Sequence, residues 1–204
     1  MEIEVAKRLQ QTEEYYFSKK LREIEQMNQA GAQVINLGIG SPDLPPHPAV
    51  IDELYKQALL PNTHGYQSYK GAPVLREAIA DWYARHYAVT LNADTEILPL
   101  IGSKEGIVHI AMTYLQEGDE VLVPNPGYPT YTSAVRLTGA TIVPYELSET
   151  TDWLIDFDAL EKRNLSRVKM MWMNYPHMPT GASANLEFFT KAVAFARKHN
   201  ILLV

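Results

Sequence analysis

Apolar residues at Val5, Leu9, Tyr16, Phe17, Leu21, Ile24 and Met27 recur at roughly helical spacing with charges between them. This predicts one or two N-terminal helices over residues 5–29. Val34-Ile35-Asn36-Leu37 reads as a short strand that runs into Gly38-Ile39-Gly40-Ser41-Pro42-Asp43 and a proline-rich loop through Pro48. Residues 49–60 read as a helix, and Pro61 to Gly71 as a polar, tyrosine-bearing loop. Pro73 suits a helix start. Leu75, Ala78, Ile79, Trp82 and Tyr83 give that helix its apolar face, with the aromatics expected in the core.

From residue 96 the rhythm changes. Strand 96–101, helix 104–116, strand 120–123, helix 130–137 and strand 141–145 follow in turn. Helix 157–163 comes next behind an N-cap at Asp156, then strand 168–173, helix 185–199 and a strand beginning at 201–204. Leu186, Phe189, Val193 and Ala196 are expected on one face of the helix over 185–199. Such alternation predicts an α/β fold, a mostly parallel sheet with helices on both faces. A boundary is expected near residues 40–48, dividing an N-terminal helical arm and loop (1–47) from an α/β domain (48–204).

Ligands of such sheets bind beyond the carboxyl ends of the strands. Three loops follow expected strands: 102–106, 124–129 and 174–181. The first, Gly102-Ser103-Lys104-Glu105-Gly106, joins a strand to a helix. A turn of this kind offers backbone N–H groups and the positive end of a helix dipole to an anion, commonly phosphate. Ser103 can cap the helix and donate to a phosphate, and Lys104 adds charge. By themselves these residues fit a capped helix start with an exposed lysine equally well. They are not a P-loop, because the lysine follows the serine and no glycine lies in 96–101. Gly38–Asp43 is not a dinucleotide fingerprint, because Asp43 stands where a third glycine is needed.

Composition narrows the classes. Of 204 residues 46% are hydrophobic and 21% charged, enough for a buried core. A net charge of −6 without a long basic run argues against a nucleic-acid partner. No apolar run approaches the roughly 20 residues that span a bilayer. The acidic start Met-Glu-Ile-Glu does not read as a secretion signal, so the cytoplasm is the expected compartment. The absence of cysteine removes disulfides and thiolate chemistry. Six histidines show no metal-ligand spacing, and His109 reads as a packed or capping residue.

Six stretches taken in order resemble the class I/II aminotransferases, pyridoxal-phosphate enzymes of fold type I, nearest the aspartate and LL-diaminopimelate aminotransferase-like members. They are Gly38–Asp43, His64-Gly65-Tyr66, Lys70-Gly71, Gly102–Gly106, Pro124-Asn125-Pro126-Gly127-Tyr128-Pro129 and Pro179-Thr180-Gly181, and the resemblance runs from about Val34 to Val204. It implies pyridoxal 5'-phosphate as cofactor, an α-amino acid and a 2-oxo acid as substrates, and a homodimer with shared sites. Gly102, Ser103 and Lys104 would hold the cofactor phosphate, and Tyr128 would stack on its ring. Tyr66 would reach the phosphate of the neighbouring subunit's cofactor. Gly40 would give its N–H to the substrate carboxylate, a task that suits a residue without a side chain.

Two departures stand out. The family usually places Asn before Pro-Thr-Gly, donating to the cofactor's phenolic oxygen. Met178 stands there, and a thioether cannot donate. Asn174 and His177 are the candidate replacements, Asn174 being counted with the cofactor-binding residues. The Schiff-base lysine of the family is expected beyond Val204, since no lysine in 1–204 has a matching context. Residues 1–204 alone are therefore expected to be inactive and the full-length protein active. A pyridoxal-phosphate lyase on the same fold and a non-catalytic binding module remain as alternatives.

Overall fold

The computed structural model describes residues 3–9, 14, 16–38, 40 and 42–204. Four strands build one sheet: β1 (Glu120–Asn125), β2 (Thr141–Glu146), β3 (Val168–Met171) and β4 (Leu202–Leu203). Their order is β2-β1-β3-β4 and every neighbouring pair is parallel. Val121 to Pro124 of β1 are buried without a break. A central parallel strand is covered on both faces, so its apolar run need not alternate with polar residues.

Seven helices accompany the sheet among the described residues: α1 (Tyr16–Gln29), α2 (Pro48–Ala58), α3 (Pro73–Tyr87), α4 (Ser103–Tyr114), α5 (Pro129–Thr138), α6 (Phe157–Glu161) and α7 (Leu186–His199). Successive strand residues point to opposite faces, and two cores result. Val121, Val123, Met170 and Trp172 pack with Ile107 and Ala111 of α4 and Ala134 and Val135 of α5. Leu122 and Met171 pack with Leu160 of α6 and Phe188 and Phe195 of α7. The expected parallel sheet with helices on both faces is therefore present.

Local chemistry sets several boundaries. The Asp156 carboxylate accepts from Ala159 N (2.9 Å) and starts α6 as expected. Asn185 does the same for α7 through Phe188 N (2.9 Å). Gly139, at φ 81°, ends α5. Arg197, Lys198 and His199 occupy the last turn of α7, where cations oppose the helix dipole.

Connectivity locates the crevice. From β1 the chain crosses through α5 to β2 on one side, and from β3 through α7 to β4 on the other. The adjacent strands β1 and β3 thus send their chains in opposite directions. The crevice between their carboxyl ends is the topological switch point where open α/β sheets take ligands. Loops 124–129 and 172–181 leave from there.

The chain divides into two compact units: the described residues before 13 with Leu100–Val204, and those of Glu13–Pro99. Among the described residues the buried apolar side chains run from Ile107 to Ile201, all in the first unit. In the second unit, α1 and α2 bury no residue and α3 buries only Arg76.

Several expectations need correction. Residues 34–37 and 96–101 are not strands: both lack a ladder among the described residues, and Ile35 and Leu37 are exposed. An apolar run becomes a strand only where a neighbour supplies its hydrogen bonds. The expectation of one or two N-terminal helices is met by α1, preceded by a 3-10 turn at Lys7–Leu9; residues 10–13 and 15 lie outside the described residues. Trp82 and Tyr83 are not core. They pack edge-on against each other (5.5 Å) on the surface of α3, 42% and 38% exposed. The buried stripe of α7 is Phe188, Ala192, Phe195 and Ala196, whereas Leu186 is exposed. His109 is exposed on α4, with its Nε2 3.9 Å from Glu105.

Candidate cofactor site

The start of α4 comes first. Gly102 is the N-cap residue at φ 132°, a backbone conformation that side-chain-bearing residues rarely adopt. Ser103 is the first helical residue and Gly102 the cap, which corrects the expected role of Ser103 as cap. Glu105 reaches back instead, and its Oε2 accepts from Ile101 N at 2.6 Å. Amides of a first turn have no acceptor within their helix, so the start of α4 at Gly102, Ser103 and Lys104 could take an anion. All three are exposed.

Beside this turn stands an aromatic platform. Lys104 Nζ lies 5.9 Å from the ring centroid of Tyr128. Tyr128 is the half-buried N-cap residue of α5. Its ring meets Tyr131 edge-on (5.7 Å, 84°), and Tyr131 stacks on Trp172 (4.9 Å, 12°). The three rings thus join the 124–129 turn to the exit of β3. An added Cβ at Gly127 would lie 2.4 Å from the Pro124 carbonyl oxygen, so only glycine lets the chain turn there. The bonds Asn125–Pro126, Tyr175–Pro176 and Met178–Pro179 are cis.

The 174–181 loop is held by its own side chains. Asn174 Oδ1 accepts from Met178 N (3.0 Å), and His177 Nδ1 pairs with Thr180 Oγ1 (2.8 Å). The His177 backbone N–H donates to Ala182 (2.7 Å), while its carbonyl accepts from Gly181 N (2.6 Å). Met178 is 44% exposed. Asn174, counted as a cofactor residue, thus spends its carbonyl oxygen within the loop. Two phenols pin the surroundings: Tyr145 donates to the Trp172 carbonyl (2.7 Å) and Tyr175 to that of Trp153 (2.9 Å). Burial raises the Tyr145 hydroxyl far above its ordinary range and pushes that of Tyr175 up to about 12, so neither supplies a proton near neutral pH.

His177 is 3% exposed, and among the described residues its Nε2 has no hydrogen-bond partner. Burial lowers its pKa below the ordinary histidine value, and the Pro126 carbonyl opposes part of the shift. The unfolded chain therefore binds a proton at His177 more readily than the folded one. Stability is full above about pH 6.5 and falls as pH drops toward and through the folded value. Thermal melting at pH 7.5, 6.5 and 5.5 should show this loss, and His177→Asn should shrink it. An unchanged pH dependence in the variant would refute the assignment.

Tyr66 and Gly40 belong to the other unit. Tyr66 is wholly exposed. Gly40 is exposed, and a Cβ there would meet nothing within 4 Å. Ile39 and Ser41 of the same loop lie outside the described residues. The structure therefore brings together Gly102, Ser103, Lys104 and Tyr128, with the Asn174 loop beside them at the carboxyl end of β3. The Tyr131–Trp172 stack and the His177–Thr180 link go beyond the residues expected from the sequence. Tyr131 is detectable as the residue one helical turn beyond Tyr128, and His177 is marked by its place beside Met178, whereas Trp172 carries no local signal.

Comparison with known proteins agrees with this geometry. The model of the family described as aminotransferase class I and II matches residues 32–204. The chain belongs to that family. Relatives include an LL-diaminopimelate aminotransferase of Dehalococcoides mccartyi, 44% identical over 199 residues that cover 98% of this chain and 51% of that protein. Transaminase BacF of Bacillus subtilis is 42% identical over 188 residues, covering 92% of this chain and 47% of its own. The apo-BacF structure superposes with a TM-score of 0.93 at 41% identity, over 100% of this chain and 52% of that one. The chain thus spans about half the length of the curated relatives it matches. Pyridoxal 5'-phosphate is the cofactor of class I and II aminotransferases. The donor set fits it: an anion-binding helix start carrying a hydroxyl and an ammonium stands against a tyrosine ring of the size of the pyridine. Among the described residues no helix is long and apolar enough to cross a membrane.

Proposed function

We propose that the full-length protein is a pyridoxal-phosphate-dependent aminotransferase that moves an amino group between an α-amino acid and a 2-oxo acid. The observation that carries this reading is the anion-binding start of α4 set against the Tyr128 ring at the carboxyl edge of the sheet. When bound, pyridoxal phosphate supplies the electron sink for chemistry at the substrate's α-carbon. The protein's part is to bind and orient it. Ser103, Lys104 and the first amides of α4 hold the phosphate through charge-assisted hydrogen bonds. Tyr128 fixes the plane of the ring, and the Asn174 loop borders its edge. Gly40 offers a backbone N–H to the substrate carboxylate.

Residues 1–47 belong with a small substrate domain and 48–204 with the large cofactor domain. Tyr66 reaches the phosphate of a second subunit, so the working form is a homodimer in the cytoplasm. The relatives named for LL-diaminopimelate support a role in amino-acid biosynthesis. The lysine that would hold the cofactor covalently has no counterpart in 1–204, and this polypeptide by itself does not turn over.

Titration of the full-length protein with pyridoxal phosphate, followed by visible absorbance, tests the reading. Lys104→Met should weaken binding by about tenfold or more, the worth of one hydrogen bond to a charged group. Amino-acid-dependent formation of a 2-oxo acid should appear with the full-length protein and not with the 204-residue chain. The proposal fails if the wild type shows no saturable binding, or if Lys104→Met binds as tightly as the wild type. Turnover by residues 1–204 alone would overturn the placement of the lysine.

A further inference from the structure

Arg76 is the one charged residue buried in the second unit among its described residues, 6% exposed in a unit that buries no apolar side chain. A guanidinium taken out of water is costly unless its N–H groups find acceptors. Here they do. Nε donates to the Ala93 carbonyl (2.8 Å), Nη1 to the carbonyls of Gly71 (2.6 Å) and Lys70 (3.4 Å), and Nη2 to Asp94 Oδ1 (2.9 Å). One planar fork thus ties α3 to the end of the 61–71 loop and to residues 93–94.

The other end of that loop is tied as well. Thr63 Oγ1 donates to the Gln57 and Leu60 carbonyls, both at 2.9 Å. His64 Nε2 pairs with the Ala58 carbonyl (2.9 Å). Within the loop, Gly71 N donates to Ser68 O (2.8 Å) and Lys70 N to Ser68 Oγ (3.2 Å). Gly71 sits at φ 79° against Pro99, where an added Cβ would stand 3.0 Å from Pro99 Cγ. Between the two fastenings, Tyr66 is wholly exposed and Tyr69 nearly so. A wholly exposed tyrosine in a loop fastened at both ends is a presented side chain, not an anchor of the loop.

We infer that Arg76 is a positioning residue for Tyr66: its grip on Lys70 and Gly71 fixes the loop that delivers the Tyr66 hydroxyl to a phosphate. The delivery rests on the function proposed above; the grip does not. Arg76 touches neither cofactor nor substrate and acts only through the loop. Its fork geometry matters as much as its charge, because one ammonium cannot serve carbonyls and a carboxylate lying in three directions.

Two measurements on the full-length protein test this. Limited chymotrypsin digestion, with fragments assigned by mass, reads the loop directly. Arg76→Met should speed cleavage after Tyr66 and Tyr69 by about tenfold relative to cleavage elsewhere, as expected when a charge-assisted tie is lost. A double-mutant cycle on pyridoxal-phosphate affinity reads the coupling. Tyr66→Phe and Arg76→Met should each weaken binding, and the double variant should bind no more weakly than the weaker single one. Arg76→Lys keeps the charge and folds more readily; it should fall between wild type and Arg76→Met in both readouts. If Arg76→Met does not fold, Arg76→Lys carries both measurements. Unchanged cleavage after Tyr66 and Tyr69, or losses of affinity that multiply in the double variant, would overturn the inference. Failure of the wild type to bind pyridoxal phosphate would sink the function proposed above, and the cleavage comparison would still decide whether Arg76 holds the loop.

Discussion

Gly127→Ala is expected to lower pyridoxal-phosphate affinity about 100-fold and to destabilise the fold by about 1–3 kcal/mol. The new methyl would stand 2.4 Å from the Pro124 carbonyl oxygen and 2.8 Å from Pro124 Cγ. Pro124 cannot yield, because it lies in the buried run of β1 and is paired in register with Tyr145 of β2. The turn over 125–128 must move instead. Tyr128 then leaves the edge-on contact with Tyr131, and its ring no longer lies beside Lys104. A displacement of about 1 Å in a positioned group costs on the order of 100-fold, more than the folding penalty alone implies. Titration with pyridoxal phosphate and a thermal melt of the same variant separate the two effects. Val50→Ala, exposed on α2 and not one of the site residues, serves as comparison. Wild-type affinity in Gly127→Ala would refute this account of the platform.

Leu122→Ala carries the largest expected loss of stability, about 2–5 kcal/mol. Leu122 is fully buried at the centre of β1, flanked by β2 and β3, and its side chain fills the core shared with α6 and α7. Strands on both sides keep the backbone from collapsing into the cavity, which places the cost toward the upper part of the range. Domains hold only about 5–15 kcal/mol in total, so the variant should melt far lower or fail to accumulate. Val50→Ala, on the exposed face of α2, should stay within about 0.5 kcal/mol of wild type. Chemical denaturation of both proteins measures the difference. Equal midpoints would show that the β1 core does not dominate stability.

The order of β1, α5, β2, α6, β3, α7 and β4 was legible in the sequence. Apolar runs of strand length alternated with helical stripes, and caps such as Asp156 and Gly139 are local signals. The cofactor loops were legible for a similar reason: Gly102–Gly106 and Pro124–Pro129 are built of residue types that specify their own backbone. The misreadings share one cause. Whether 34–37 and 96–101 become strands depends on a neighbour to pair with, and whether Trp82 is core depends on what lies over α3. No local pattern carries that information. The offset of the α7 stripe from Val193 to Ala192 and Phe195 is of the same kind, because several faces of that helix are apolar and packing selects one.

Residue chemistry and spacing by themselves determined the α/β class, the position of the glycine-bracketed turn at 102–106 and the resemblance to the aminotransferases. Tertiary structure alone decided that β1 and β3 diverge at the switch point, that Tyr128 stands beside Lys104, and that Arg76 grips the loop carrying Tyr66. Each of these joins residues from separate elements. Lys104 and Tyr128 are brought together by the packing of α4 and α5 over one face of the sheet, and the Arg76 fork finds acceptors on two loops that only the folded chain places around it.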